Sequence, residues 1–140
     1  MTDVATFLMF EKDAEEACKF YVDTIKGATL DSPMMFSLGD QHFYSYNGGE
    51  HFKFTEATSI LLECKDQDEV DYYWDKLVEG GGEHSKCGWL KDRFGLSWQI
   101  IPTRFFELVS DDQTRDATMQ AMLKMTKFDI AELEAAAKGE

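Results

Sequence analysis

The sequence is short of positive charge. Of its 140 residues, 14 are Lys or Arg and 27 are Asp or Glu, so the formal net charge is −13. A chain this acidic repels phosphate backbones and anionic lipid headgroups. We therefore expect no nucleic acid and no membrane surface among its partners.

Three further absences bear on the compartment of the protein. No apolar run approaches the roughly 20 residues of a membrane span. The N-terminal stretch MTDVATFLMFEKDAEE lacks the basic start and the long apolar core of a signal peptide. Cys18, Cys64 and Cys87 are odd in number and show no metal-ligand spacing, as expected for free thiols in a reducing compartment. We expect a cytoplasmic protein.

Apolar residues are plentiful, which predicts a packed core. They make up 44% of the chain, and Phe alone occurs 11 times. A chain of this length buries about 68% of its unfolded surface, enough for an independent fold. We therefore expect one domain over residues 1–140.

The first half of the chain carries signals for a strand, a helix and a further strand. Asp13 and Glu16 form a potential capping box, and Gly27 is positioned to end the helix that follows. Residues 28–41 show only weak extended character, with a hairpin turn at their end. The predicted strands are Thr6–Phe10 and His42–Tyr46.

The same signals return in the second half. Asp66 and Glu69 form a second potential capping box, and Gly80 begins a run of three glycines after the helix. Residues 83–92 have extended character. The predicted strands are Ser59–Cys64 and Ser97–Ile101, and two or three helices follow in residues 103–140.

An internal repeat relates the two halves. An offset of 53 residues superimposes both caps, an aromatic pair, an aliphatic position and a glycine. The matched pairs are Asp13 with Asp66, Glu16 with Glu69, Phe20 with Tyr73, Tyr21 with Trp74, Ile25 with Val78, and Gly27 with Gly80. The pattern predicts two βαβββ modules, at about 5–49 and 58–102, followed by a helical tail at 103–140. The alternative is that any two capped amphipathic helices align in this way.

Several stretches together resemble a known family. FEKDAEEACKFY, NGGEHFKF, DYYWDKL, CGWLKDRFGLSWQIIP and MQAMLKMTKFDIAELE are similar to the PhnB-like branch of the glyoxalase/bleomycin-resistance/dioxygenase (vicinal oxygen chelate) superfamily. Members are often labelled 3-demethylubiquinone-9 3-methyltransferase. The resemblance implies an α+β fold of two paired βαβββ modules with a C-terminal helical extension. It also implies a homodimer.

That resemblance also locates where a metal ion would bind. Metal-dependent members of the superfamily place their ligands on the first and last strands of the modules. The matching positions here are Thr6, Tyr46, Ser59 and Gln99. Because none of these side chains is an imidazole or a carboxylate, we expect no metal and no other cofactor.

Two other chemistries have weaker signals. Methyl transfer is unsupported because no glycine-rich turn joins a strand to a helix. Cys87 is a candidate nucleophile because Lys86 adjoins it, although a small buried cysteine is the alternative. Lys91 and Arg93 could hold an anionic ligand, or they could be solvated charges at a turn.

A ligand-binding cleft is the hypothesis that remains. Ser59 and Gln99 are predicted to give it a neutral polar centre, with aromatic and polar walls around them. The predicted wall residues are Asn47, His51, Phe52, Phe54 and Trp89. We therefore expect a protein that binds a small aromatic or anionic molecule. The alternative is an enzyme, either of the superfamily's lyase or dioxygenase type or of the labelled methyltransferase type.

Overall fold

The structure, a computed structural model, describes residues 2–140 as two compact units. These are residues 2–55 and Glu56–Glu140. The strands are β1 Thr6–Phe10, β2 Thr29–Ser32, β3 Met35–Leu38, β4 Gln41–Asn47, β5 Ser59–Cys64, β6 Glu83–His84, β7 Trp89–Lys91 and β8 Ser97–Pro102. The helices are α1 Ala14–Thr24, α2 Gln67–Lys76, α3 Thr103–Ser110, α4 Arg115–Met122 and α5 Ile130–Ala137.

The first unit is one βαβββ module. Its four-stranded sheet has the order β1-β4-β3-β2, with β1 parallel to β4 and the other pairs antiparallel. The hairpin between β3 and β4 closes at Leu38 opposite Gln41. Gly39 in that turn has a φ of +60°, a conformation that glycine adopts without steric cost.

Stacked aromatic rings fill the core between α1 and the first sheet. The ring of Tyr21 on α1 lies 5.4 Å from Phe36 and 6.4 Å from Phe10. Phe36 and Phe43 stack in parallel at 4.8 Å on neighbouring strands. All four rings are buried, so the apolar face of α1 packs against the first sheet.

The second unit repeats the module and adds the helical tail. Its sheet has the order β5-β8-β7-β6, with β5 parallel to β8. Alternate strand residues Cys64, Trp98 and Ile100 are fully buried on the side of α2. The opposite face of this sheet carries the intervening residues, which include Ser59 and Gln99.

Hydrogen bonds join the tail to α2. The side chain of Gln67, the first residue of α2, donates to the carbonyl of Phe128 at 2.9 Å and accepts from the amide of Ile130 at 2.8 Å. Lys127 forms an ion pair with Asp71 at 2.9 Å. The tail is therefore part of the second unit, and α5 begins against the start of α2.

The predicted α+β fold with two βαβββ modules and a C-terminal helical extension is confirmed. Thr6–Phe10 and Ser59–Cys64 are strands with the predicted bounds, and the tail holds three helices. None of the helices in residues 2–140 is long and apolar enough to cross a bilayer.

Residues 28–41 are more regular than predicted. They contain β2 and β3, with a register shift between Leu30 and Ser32. The sequence signal is weak because β2 is mostly exposed and its four residues, TLDS, lack a run of apolar or β-branched side chains.

The offset between the modules is constant in the helices but not in the strands. Ala14 and Gln67 begin the two helices at the predicted spacing. In the first strands of the modules, the matching helix-facing residues are Leu8 and Leu62, and their spacing exceeds the helix offset by one residue. In the last strands, the matching residues are Phe43 and Trp98, and their spacing exceeds that offset by two residues. Thr6 lies on the same side of β1 as Leu8 and faces α1, whereas Ser59 faces away from α2, so these two predicted ligand positions do not correspond in the two modules.

Candidate functional site

Three of the predicted site residues share one face of the second sheet. Ser59 on β5, Gln99 on β8 and Trp89 on β7 are all half-buried on the side away from α2. Trp89 is directly opposite Gln99, and the side-chain amide of Gln99 donates to the Ser59 hydroxyl at 2.9 Å. The predicted neutral polar pair therefore exists as a hydrogen bond between its two members.

This pair does not fit a divalent cation. A hydroxyl and an amide offer weak neutral donors, whereas Zn²⁺, Ni²⁺ or Fe²⁺ sites need imidazole, thiolate or carboxylate ligands. Within residues 2–140, no three His, Cys, Asp or Glu side chains are grouped to hold a metal ion. In the first unit, Thr6 and Tyr46 lie on opposite faces of their sheet, so they do not converge either.

A cavity of about 440 Å³ lies at the β6–β7 side of the second sheet. Its lining comes from β6, the turn 85–88, β7, the first residue of β8, and Glu56 before β5. Trp89 is among the lining residues, whereas Ser59 and Gln99 are not. The predicted centre lies on β5 and β8, whereas the cavity lies mainly on β7 and the edge strand β6.

The buried polar group of this cavity is Ser97. Only 1% of the residue is exposed, and its Oγ has no hydrogen-bond partner within residues 2–140. A buried hydroxyl without a partner costs about 1–3 kcal/mol of stability. Strand alternation places Ser97 on the same face as Gln99, but nothing in the sequence distinguishes its unpaired hydroxyl from the paired one of Ser59.

Lysine side chains supply the positive charge of the lining. Lys91 is directly opposite Ser97 in the β7–β8 register, and its ammonium contacts the carboxylate of Glu56 at 2.5 Å. The hydrogen bond from Lys91 lowers the pKa of Glu56, and the same bond raises the pKa of Lys91. Lys86 also lines the cavity and forms no ion pair with any described residue.

The turn that contributes Lys86 has an unusual backbone. Cys87 has a φ of +58° and is the one described residue other than glycine with a positive φ. Its amide donates to the Met125 carbonyl at 2.9 Å, and its thiol lies 3.5 Å from the Met122 carbonyl. Such a conformation persists only where surrounding contacts impose it. The helical tail therefore sets the shape of this cavity wall.

His84 takes part in a structural contact. Its ring stacks on Trp74 of α2 at 4.1 Å, and its Nε2 lies 2.7 Å from the carbonyl oxygen of Trp74. Because a carbonyl only accepts, Nε2 carries a proton and donates. This nitrogen is thus occupied by α2, and the thiol of Cys87 is likewise turned to the tail, so the structure forms no Cys–His pair.

The other predicted wall residues belong to the first unit. The side-chain oxygen of Asn47 accepts a hydrogen bond from the amide of Ala14 at 2.8 Å and so caps α1. Asp13 makes no capping hydrogen bond with its side chain, so the predicted first capping box is wrong. His51 and Phe52 are exposed in the loop after β4. Phe54, from the same loop, lies 5.2 Å from the ring of Phe10.

A second polar cluster in the first unit was missed in the sequence. The Ser37 hydroxyl lies 2.6 Å from Oδ2 of Asp31 and 2.8 Å from Nδ1 of His42. Since the hydroxyl has one proton and donates it to the carboxylate, His42 is the donor to Ser37. A nucleophilic serine needs a histidine that accepts its proton. The cluster therefore joins three strands rather than activating Ser37.

Comparisons with known proteins find a family model and solved structures that are similar to this chain. The family model described as 3-demethylubiquinone-9 3-methyltransferase matches residues 33–101. A Bacillus cereus structure described as a PhnB protein and 3-demethylubiquinone-9 3-methyltransferase is 28% identical, with a TM-score of 0.63 over 73% of this chain and 100% of its own. Protein PA1353 of Pseudomonas aeruginosa shares the fold at 18% identity, with a TM-score of 0.60 over 73% of this chain and 98% of its own. No curated protein matches the sequence.

Proposed function

We propose that this chain, which is similar to PhnB-like proteins, is a small-molecule-binding protein whose ligand occupies the cavity of the second unit. The proposal places the ligand against Trp89 and Ser97, next to the predicted Gln99–Ser59 pair. Catalysis is not needed to explain the geometry of this cavity.

The observation that carries the proposal is the unpaired hydroxyl of Ser97. Buried polar groups in native proteins nearly always have a partner, and each exception calls for an explanation, of which a bound water, ion or ligand is one. Ser97 lines a cavity, so a ligand that moves the side chains covering its Oγ could supply the missing bond. Ser59, its neighbour across the β5–β8 pair, already accepts its bond from Gln99.

The size and surface of the cavity support the same function. Small-molecule sites commonly span about 300–1,000 Å³ and combine apolar walls with a few polar groups. The cavity here, at about 440 Å³, lies within that range and has the indole of Trp89 in its lining. It suits a ligand of one or two rings.

The experiment is a fragment screen by thermal shift, followed by calorimetry on each hit. A ligand at 100 times its dissociation constant stabilises the folded state by about 2.7 kcal/mol. Ser97→Ala should abolish or strongly weaken the hits, while Ser110→Ala, which removes an exposed helix hydroxyl, should bind like the wild type. Hits that bind Ser97→Ala and the wild type equally would contradict the assignment of this cavity.

Methyl transfer, the activity in the family description, is the second candidate. The match over residues 33–101 favours it. The glycines that follow β4, Gly48 and Gly49, lead into an irregular loop instead of a helix, unlike a typical S-adenosylmethionine site. Calorimetry with S-adenosylmethionine decides between the two: binding at micromolar concentration supports methyl transfer, and no heat at millimolar concentration removes it.

We also propose a cytoplasmic homodimer. The three cysteines are all free thiols, which suits a reducing compartment. The dimer rests on the family resemblance. Light scattering during size-exclusion chromatography should give twice the chain mass of 16.0 kDa, and a mass equal to one chain would refute the dimer.

A further inference from the structure

Two lysines give the ligand cavity a charge pattern that favours one kind of ligand. Lys86 and Lys91 line it together with two carboxylates, those of Glu56 and Glu83. Glu56 is bound to Lys91, and Glu83 is directly opposite Lys91 in the β6–β7 register. Lys91 thus faces both carboxylates and is paired with Glu56, while Lys86 has no carboxylate partner among the described residues.

The bond between Lys91 and Glu56 is exchangeable. The two side chains are 42% and 63% exposed, and surface ion pairs of this kind contribute little to stability. Glu56 comes from the segment before β5, outside the strands that form the cavity wall. A ligand carboxylate could therefore take the place of the Glu56 carboxylate at little cost.

The remaining contacts of the cavity favour a flat acid. Trp89 offers an aromatic surface, and Ser97, directly opposite Lys91, lacks an acceptor for its proton. A carboxylate has two acceptor oxygens, so it can bind an ammonium and a hydroxyl at the same time. A planar ring attached to it would pack on the indole.

We propose that the ligand is a small planar carboxylic acid whose carboxylate replaces Glu56 at Lys91, with Lys86 beside it and the ring on Trp89. This inference rests on the proposed function and specifies its ligand class. A neutral ligand would form no ion pair with either lysine, and a cationic one would not replace Glu56 at Lys91.

The experiment compares three probes of one shape: benzoate, benzamide and benzylamine. Calorimetry at low ionic strength should show benzoate binding the wild type about tenfold more tightly than benzamide, a difference of about 1.4 kcal/mol. The double variant Lys86→Met/Lys91→Met should bind benzoate and benzamide equally. Glu56→Gln should bind benzoate more tightly than the wild type does, because the competing carboxylate is gone.

Lys76→Met is the matched control. It removes the same charge from an exposed pair, that of Lys76 with Glu79, outside the cavity. It should keep the wild-type ratio of benzoate to benzamide affinity. The inference fails if the wild type prefers benzamide or benzylamine, if it binds none of the three probes, or if the double variant retains the preference for benzoate. Fragment hits that need Ser97 would leave the proposed function standing in each of those cases.

Discussion

The indole Nε1 of Trp98 donates a hydrogen bond to Oδ2 of Asp92 at 2.9 Å, and both residues are buried. The other carboxylate oxygen accepts from the amides of Phe94 and Leu96 at 2.9 and 3.0 Å. One aspartate thus holds the turn between β7 and β8 and fixes it to the core. This turn joins Lys91 to Ser97, so the same bonds keep the two cavity residues opposite each other.

Asp92→Ala should lower the free energy of unfolding by about 3 kcal/mol or more, because three donors, two of them buried, lose a charged acceptor. Urea unfolding followed by tryptophan fluorescence measures the change. Asp40→Ala, in the exposed β3–β4 turn, should change stability by no more than about 0.5 kcal/mol. Similar losses for the two variants would show that Asp92 is not the anchor of its turn.

Gly88 tests whether the tail shapes the cavity wall. A Cβ at this residue would lie 2.7 Å from the Phe128 ring and 2.8 Å from the Ile100 carbonyl oxygen, and its φ is +79°. Gly88→Ala should therefore lower the stability of the second unit by more than the strain of an alanine at positive φ alone, because the added Cβ also clashes. It should also weaken the hydrogen bonds that join Cys87 to the tail.

Gly95→Ala is the control for Gly88→Ala. Gly95 has a φ of +90°, and a Cβ added there would meet nothing within 4 Å, so the substitution should cost only about 1–2 kcal/mol of backbone strain. Hydrogen exchange of the tail amides distinguishes the two. Faster exchange is expected in Gly88→Ala alone, and equal exchange in both variants would contradict the role of the tail.

Cys18 should make stability fall at alkaline pH. Burial raises the pKa of this thiol, although the Ser45 hydroxyl at 3.4 Å partly opposes the effect. The unfolded thiol ionises near pH 8.5, while the folded one stays neutral to higher pH. Its contribution is therefore present below that pH and is lost as the pH rises toward the folded pKa.

The measurement for Cys18 is the free energy of unfolding at about pH 7.5 and 9.5, on either side of the ordinary thiol pKa. The wild type should lose more stability over this interval than Cys18→Ala does. Comparing slopes removes the packing cost of the substitution. Parallel slopes would mean that the thiol titrates alike in the folded and unfolded chains.

Asn47 should stabilise the folded protein because its side chain caps the start of α1. Its side chain accepts from the Ala14 amide at 2.8 Å, and losing a helix N-cap costs about 1 kcal/mol. Asn47→Ala should show that loss in urea unfolding, while Asn47→Asp, which retains the acceptor, should not. Asp13→Ala, at the position that makes no such bond, should cost less than Asn47→Ala. The reverse order would restore the capping box that the sequence predicts.

The sequence predicts those parts of the fold that local chemistry determines. The cap at Asp66 forms as predicted, because its side chain accepts from the amide of Glu69 at 2.9 Å. The cap at Asp129 forms in the same way with Glu132 at 3.1 Å. At Asp13 the same motif is overridden, since Asn47 reaches the helix start from a strand 33 residues away. A single sequence does not reveal such a long-range competitor.

In the candidate site, too, the sequence predicts what local pattern determines but not what depends on long-range contacts. Strand alternation correctly places Ser59 and Gln99 on one face, and Trp89 is on that face too. The sequence does not reveal that these two polar groups bond to each other while Ser97 stays unpaired. That outcome depends on side-chain distances across three strands. The positive φ of Cys87 is equally hidden, because the contacts that impose it come from residues 35 and more positions later.

The central claim is that the Ser97 hydroxyl is kept unpaired to receive a ligand, and the stability of the ligand-free Ser97→Ala variant tests it most directly. Removing a buried hydroxyl that has no partner should leave the free energy of unfolding unchanged or raise it by about 1 kcal/mol. Ser59→Ala, which breaks the bond from Gln99, should lower it by about 1 kcal/mol. If Ser97→Ala is destabilised as much as Ser59→Ala, the hydroxyl already has a partner, and the assignment of the ligand site is wrong.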